Sequence, residues 1–112
     1  MQENDKPVLV YSTFPSVEEA EAAGRALVEQ RFAACVNILP GMVSVYCWQG
    51  QLERGMEAAM IIKTRSSMAE RVVAEVRARH AYENPALLVI PVLGGSDDFL
   101  AWIMAGTQSP AP

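Results

Sequence analysis

Residues 33–64, AACVNILPGMVSVYCWQGQLERGMEAAMIIKT, read as one β-hairpin whose arms each run about fifteen residues on either side of Gln49-Gly50. An arm of that length spans about 50 Å at roughly 3.3 Å per residue. A compact chain of this size has a radius of gyration of only about 13 Å. The tip must therefore project beyond the core. It carries Val43, Val45, Tyr46, Cys47, Trp48 and Leu52 with it. Monomers seldom expose an apolar patch of that extent, so the hairpin predicts an oligomer.

Working outward, Val8–Thr13 is a mostly apolar first strand, stopped by Pro15. Ser16-Val17-Glu18-Glu19 has the form of a capping box and opens a helix. Val17, Ala20, Gly24, Leu27 and Val28 form its apolar stripe, which ends near Gln30 or Arg31. After the hairpin, Ser67-Met68-Ala69-Glu70 offers a second capping box. The helix it opens buries Met68, Val72, Val73 and Val76 and ends at His80. Residues 81–85 connect to a fourth strand, Leu87–Leu93. Ser96 with Asp97 and Asp98 starts a short last helix. The order β-α-β-β-α-β plus a short helix predicts an α+β ferredoxin-like sandwich, with both long helices on one face of a four-stranded antiparallel sheet. The 112 residues form one domain, with an ordered core over about 7–106 and flexible termini.

Composition narrows the function. Half the residues are hydrophobic (51%) and a fifth charged (20%), close to ordinary globular usage. No apolar run reaches the length of a membrane span, and MQENDKPVLVY lacks the pattern of a secretory signal, so a cytoplasmic protein is expected. A net charge of −4 works against nucleic-acid and anionic-membrane roles, which rest on Lys and Arg. RNA-recognition domains share this element order. Here, however, the third strand reads Gly55-Met56-Glu57-Ala58-Ala59-Met60-Ile61 where a basic, aromatic-rich segment is needed. Cys35 and Cys47 fall on one strand and cannot fold back on each other, so both stay reduced.

With Gln49-Gly50 as a two-residue turn, Trp48 pairs with Gln51, Tyr46 with Glu53 and Met42 with Glu57. Tyr46, Trp48, Glu53 and Glu57 then share one face. Val43, Val45, Cys47, Leu52 and Met56 occupy the other. A one-residue bulge at Pro40-Gly41 places Cys35 opposite Lys63. Two readings follow: a pocket in which Cys35, Glu57 and Lys63 offer a thiol, an acid and a cation to a ligand, or a core cysteine with strand-end charges in solvent. His80 likewise reads as a loop anchor, a helix-end cation or a metal ligand, with Glu83 the nearest partner in sequence for a metal. Methionines 42, 56, 60, 68 and 104 sit at core positions, where packing is their ordinary role. No acyl-transfer triad, phosphate-cradling loop, HExxH helix or CxxC pair is present, so no enzymatic constellation is expected.

Several separated blocks, in order, resemble the CutA family of divalent-cation tolerance proteins. They are Ala33-Ala34-Cys35-Val36-Asn37-Ile38 with Pro40-Gly41, Ser44-x-Tyr46-x-Trp48-x-Gly50, Glu57 with Ile62-Lys63-Thr64, His80-x-Tyr82-Glu83-x-Pro85, and Leu100-x-Trp102-Ile103. The resemblance runs from Val8 to about Ala105. It implies a homotrimer with hairpins wrapped onto neighbouring subunits, and a part in tolerance of copper and other divalent metals with no required cofactor. It also implies fold kinship with PII-like signalling trimers, which bind small anionic ligands between subunits. By resemblance, Cys35, Trp48, Glu57, Lys63 and Tyr82 line an intersubunit ligand cleft, with His80 and Glu83 as candidate metal ligands. Two departures stand out. Ala81 replaces the family's usual proline between His and Tyr. Ser12 and Arg79 stand where copper-suited bacterial members carry a cysteine and a first histidine.

Overall fold

The hairpin arms in the computed structural model, which describes residues 4–109, are the strands Cys35–Trp48 and Gln51–Arg65. Their turn has positive φ at both central residues, 51° at Gln49 and 81° at Gly50. That twist matches the right-handed twist of the flanking strands and closes the ribbon with two residues. At Gly41, φ is 72°. The register slips there by one residue, from Leu39↔Ala59 to Met42↔Glu57. Glycine supplies the left-handed conformation such a bulge requires. The expected pairs Trp48↔Gln51, Tyr46↔Glu53 and Cys35↔Lys63 all form.

In chain order the elements are β1 (Pro7–Phe14), α1 (Val17–Glu29), β2 (Cys35–Trp48), β3 (Gln51–Arg65), α2 (Ala69–Arg79), β4 (Leu87–Pro91) and α3 (Asp97–Gly106). The sheet order is β2-β3-β1-β4 with every pairing antiparallel, the ferredoxin-like arrangement expected. Val10 and Phe14 of β1 and Ala58, Met60 and Ile62 of β3 meet Ala20, Ala23 and Leu27 of α1 and Val72 and Val76 of α2 in one buried cluster. On β3, Lys63 and Arg65 alternate with the buried Ile62 and Thr64, and both reach α3 from the opposite face of the sheet.

Helix α1 begins as expected, with the Ser16 hydroxyl accepting from the Glu19 N–H at 3.2 Å. It ends in a Schellman turn: Phe32 N–H donates to the Leu27 carbonyl and Arg31 N–H to that of Val28. Arg31 occupies the left-handed position at φ 59°, and its guanidinium holds the Ala105 carbonyl at 2.7 Å.

Three expectations need correction. The second capping box does not form: a 3-10 turn spans Ser66–Met68 and α2 starts at Ala69 with no side-chain cap. Ser67 instead gives its N–H and its hydroxyl to the carboxylate of Asp5, at 3.0 and 2.7 Å. Strand β4 stops at Pro91 rather than Leu93, because proline has no N–H to continue the ladder. Thr107 is buried, and Gln108 N–H donates to the Arg31 carbonyl at 2.9 Å. The remaining expectation of flexible ends concerns residues 1–3 and 110–112, which lie outside the described residues. Finally, Met60 and Met68 are buried and Met42 and Met104 half-buried, but Met56 lies exposed on the hairpin.

The projection is evident in the dimensions. The molecule measures 47 × 26 × 23 Å with a radius of gyration of 14.8 Å, above the value of about 13 Å for a compact chain. Toward the tip from Ala58 no residue of either arm is buried, and Val45 and Leu52 are 64% and 80% exposed.

Candidate functional site

Two separate polar clusters occupy the ground where one cleft is expected. Glu57 and Lys63 both lie on β3 but six residues apart, about 20 Å along an extended strand. Trp48, opposite Gln51, lies as far again toward the tip. Within one chain, therefore, Cys35 and Lys63 meet as a cross-strand pair, whereas Glu57 and Trp48 stand progressively farther along the ribbon.

The first cluster centres on Glu57. Its Oε1 accepts from the Ser44 hydroxyl at 2.7 Å, and its Oε2 accepts from Tyr82 at 3.0 Å and from Thr13 at 3.4 Å. Three strands and the loop after α2 thus each place one group. Ser44 is legible from the register, since it pairs with Gly55 and so shares the face of Glu57. Thr13 carries no such signal: the β1–β3 register that sets it opposite Ala59 is a tertiary property. Burial, the hydrogen bond from Tyr82 to Glu57 and the carboxylate's charge push the Tyr82 phenol from 10.0 up to about 12, with Tyr46 and Glu19 adding to the effect. A shallow cavity of about 140 Å³ adjoins the cluster, between Glu57 and the start of α1 at Ser16.

His80, the C-cap of α2, stands beside this cluster. Its Nε2 lies 2.6 Å from the Thr13 carbonyl, and its Nδ1 accepts the Tyr82 N–H at 3.1 Å. The ring stacks on Phe14 with centroids 4.5 Å apart and meets the Tyr82 ring at 4.8 Å. Glu83 is exposed and takes part in no hydrogen bond among the described residues. No three His, Cys, Asp or Glu side chains converge among the described residues. The geometry of a single chain thus does not fit His80 and Glu83 as a preformed metal pair, since both imidazole nitrogens are already engaged.

The second cluster lies at the start of β2. The Lys63 ammonium is 3.8 Å from Cys35 Sγ and 5.2 Å from the centre of the Phe99 ring, which stacks on Trp102. It has no carboxylate within ion-pair distance among the described residues. A groove of about 500 Å³ runs beside it between α1 and the free edge of β2, lined by Cys35, Val36, Arg25 and Trp102 among others. Cys35 is half-buried and Cys47 exposed, and both are free thiols.

The family model described as CutA1 divalent ion tolerance protein matches residues 8–106. The chain belongs to the CutA family. A divalent-cation tolerance protein CutA from Archaeoglobus fulgidus is 46% identical over 94 residues, covering 84% of this chain and 91% of the relative. The chloroplastic CutA of Arabidopsis thaliana is 39% identical over 112 residues, covering 97% of this chain and 62% of that protein. The chain thus spans about three fifths of the plant CutA proteins it matches, 62% in Arabidopsis and 57% in rice. Among solved structures, CutA1 from Oryza sativa superposes with a TM-score of 0.90 at 34% identity, covering 94% of this chain and 96% of that one. Related CutA proteins carry both chloroplastic and periplasmic descriptions. No helix among the described residues is long and apolar enough to cross a membrane.

Proposed function

We propose that this CutA-family chain acts as a homotrimer in the response to divalent metal ions, holding copper or another divalent cation weakly through donors that neighbouring subunits bring together. The role is binding rather than catalysis. The proposed setting is the cytoplasm, where Cys35 and Cys47 remain reduced. One observation carries the assembly: a ribbon with Val45, Trp48, Leu52 and Met56 more than half exposed has no cover from its own chain among the described residues. The number three rests on the resemblance. Metal response rests on the family, whose relatives are named for divalent-cation tolerance. No donor set converges within one chain among the described residues, which supports a site that is weak and assembled only between subunits. Titration calorimetry with Cu(II) should give a Kd weaker than about 1 μM. A stoichiometric site near 1 nM would contradict the proposal.

Lys63 favours a second reading, a PII-like adaptor that takes a small anion between subunits. Its ammonium has no carboxylate partner among the described residues and stands beside an exposed aromatic pair. Added ATP should raise the melting temperature of the wild type but not of Lys63→Ala. Equal shifts in the two proteins would count against this reading.

A further inference from the structure

We infer that His80 is a positioning residue, which as the Nε2–H tautomer clasps the loop after α2 and sets Tyr82 against Glu57, and that it is not a metal ligand. The partners decide the tautomer. A backbone N–H can only donate and a carbonyl can only accept. Nδ1, which meets the Tyr82 N–H, must therefore present its lone pair, and Nε2, which meets the Thr13 carbonyl, must carry the proton. No lone pair remains for a cation.

The loop depends on this clasp. Residues 81–84 are exposed bends with no regular structure, and Ala81 leaves φ unrestrained where a proline would fix it. Of residues 81–86, only Tyr82 makes hydrogen bonds among the described residues, through its N–H to His80 and its hydroxyl to Glu57. His80 in turn is braced against Phe14, which is 1% exposed, and against a carbonyl of β1. Order passes from the core through the imidazole to the phenol, and from the phenol to the carboxylate. The chemistry at Glu57 is thereby a hydroxyl-lined carboxylate whose third donor is held from outside the sheet.

Three measurements on the whole protein test it. The ring nitrogens of His80, the one histidine, are read by 15N NMR at neutral pH, which needs no variant. A proton on Nε2 with a bare Nδ1 is expected, and the Nδ1–H tautomer would overturn the inference. Hydrogen exchange at the Tyr82 amide, which donates to Nδ1, reports the clasp. Its protection should fall in a folded His80→Ala protein and return in His80→Gln, whose amide can both donate and accept. Unchanged protection in a folded His80→Ala protein would overturn the inference. Copper uptake, followed by native mass spectrometry with Cu(II) alone, should be equal in wild type, His80→Ala and His80→Gln. Loss of uptake in both variants would make His80 a ligand.

Discussion

Tyr82 and Glu57, twenty-five positions apart in the chain, are joined by a 3.0 Å hydrogen bond in which the phenol donates to Oε2. The bond exists only while the phenol keeps its proton. Because the folded pKa, about 12, lies above the ordinary 10.0, the contact contributes fully below pH 10 and is lost as pH rises through 12. Denaturant midpoints measured across pH 9–12 should therefore fall more steeply in the wild type than in Tyr82→Phe. Parallel curves would show that the bond adds nothing to stability.

Asp5 governs the acid side. Partial burial pushes its carboxyl up, but the hydroxyl and N–H of Ser67, with Arg65 and Ser66, outweigh that and hold it below the usual 3.8. The Asp5–Arg65 pair is close, 3.1 Å, with side chains only 4% and 12% exposed. A depressed pKa gives stability above pH 3.8 that disappears as pH falls through the folded value. Asp5→Asn should cost about 2 kcal/mol at neutral pH. That is below the range for a fully severed buried pair, because Arg65 keeps its acceptors on Met104, Thr107 and Ser109. The cost should shrink in acid, and a constant deficit between pH 7 and pH 3 would contradict this account.

Gly24 is set by packing. A Cβ there would stand 2.7 Å from Val36 Cγ2 and 3.2 Å from Met60 Sδ. The stiff β-branched valine cannot swing clear. Gly24→Ala gains up to about 1 kcal/mol in helix propensity and loses about 1–3 kcal/mol to overpacking, so a net loss of about 1 kcal/mol is expected. In a Val36→Ala background the same change should cost less, and thermal melts of the double-mutant cycle would reveal the coupling. Additive effects would argue that the crowding relaxes elsewhere.

Legibility in the sequence followed the range of the interactions. The hairpin register was readable through to Cys35↔Lys63, because both devices that set it, Gln49-Gly50 and Pro40-Gly41, lie within the ribbon. The start of α1 was readable for the same reason, since Ser16 and Glu19 are three residues apart. The start of α2 was not. Asp5, sixty-two positions from Ser67, takes the hydroxyl that a local cap would use. The candidate site divides along the same line. Glu57 and Ser44 share a strand pair, whereas Thr13 and Tyr82 arrive from β1 and the loop after α2. Trp48, Glu57 and the Cys35–Lys63 pair stand apart along the strands of one chain, so the intersubunit cleft implied by the resemblance is a matter of how neighbouring subunits meet.

If further copies of this chain cover the apolar ribbon, native mass spectrometry at low micromolar concentration will register the assembly without any variant. Three times the 12.2 kDa chain mass is expected, falling to smaller species when Val45→Glu and Leu52→Lys are combined at the exposed tip. A 12.2 kDa monomer in the unaltered protein, still folded by circular dichroism, would contradict it.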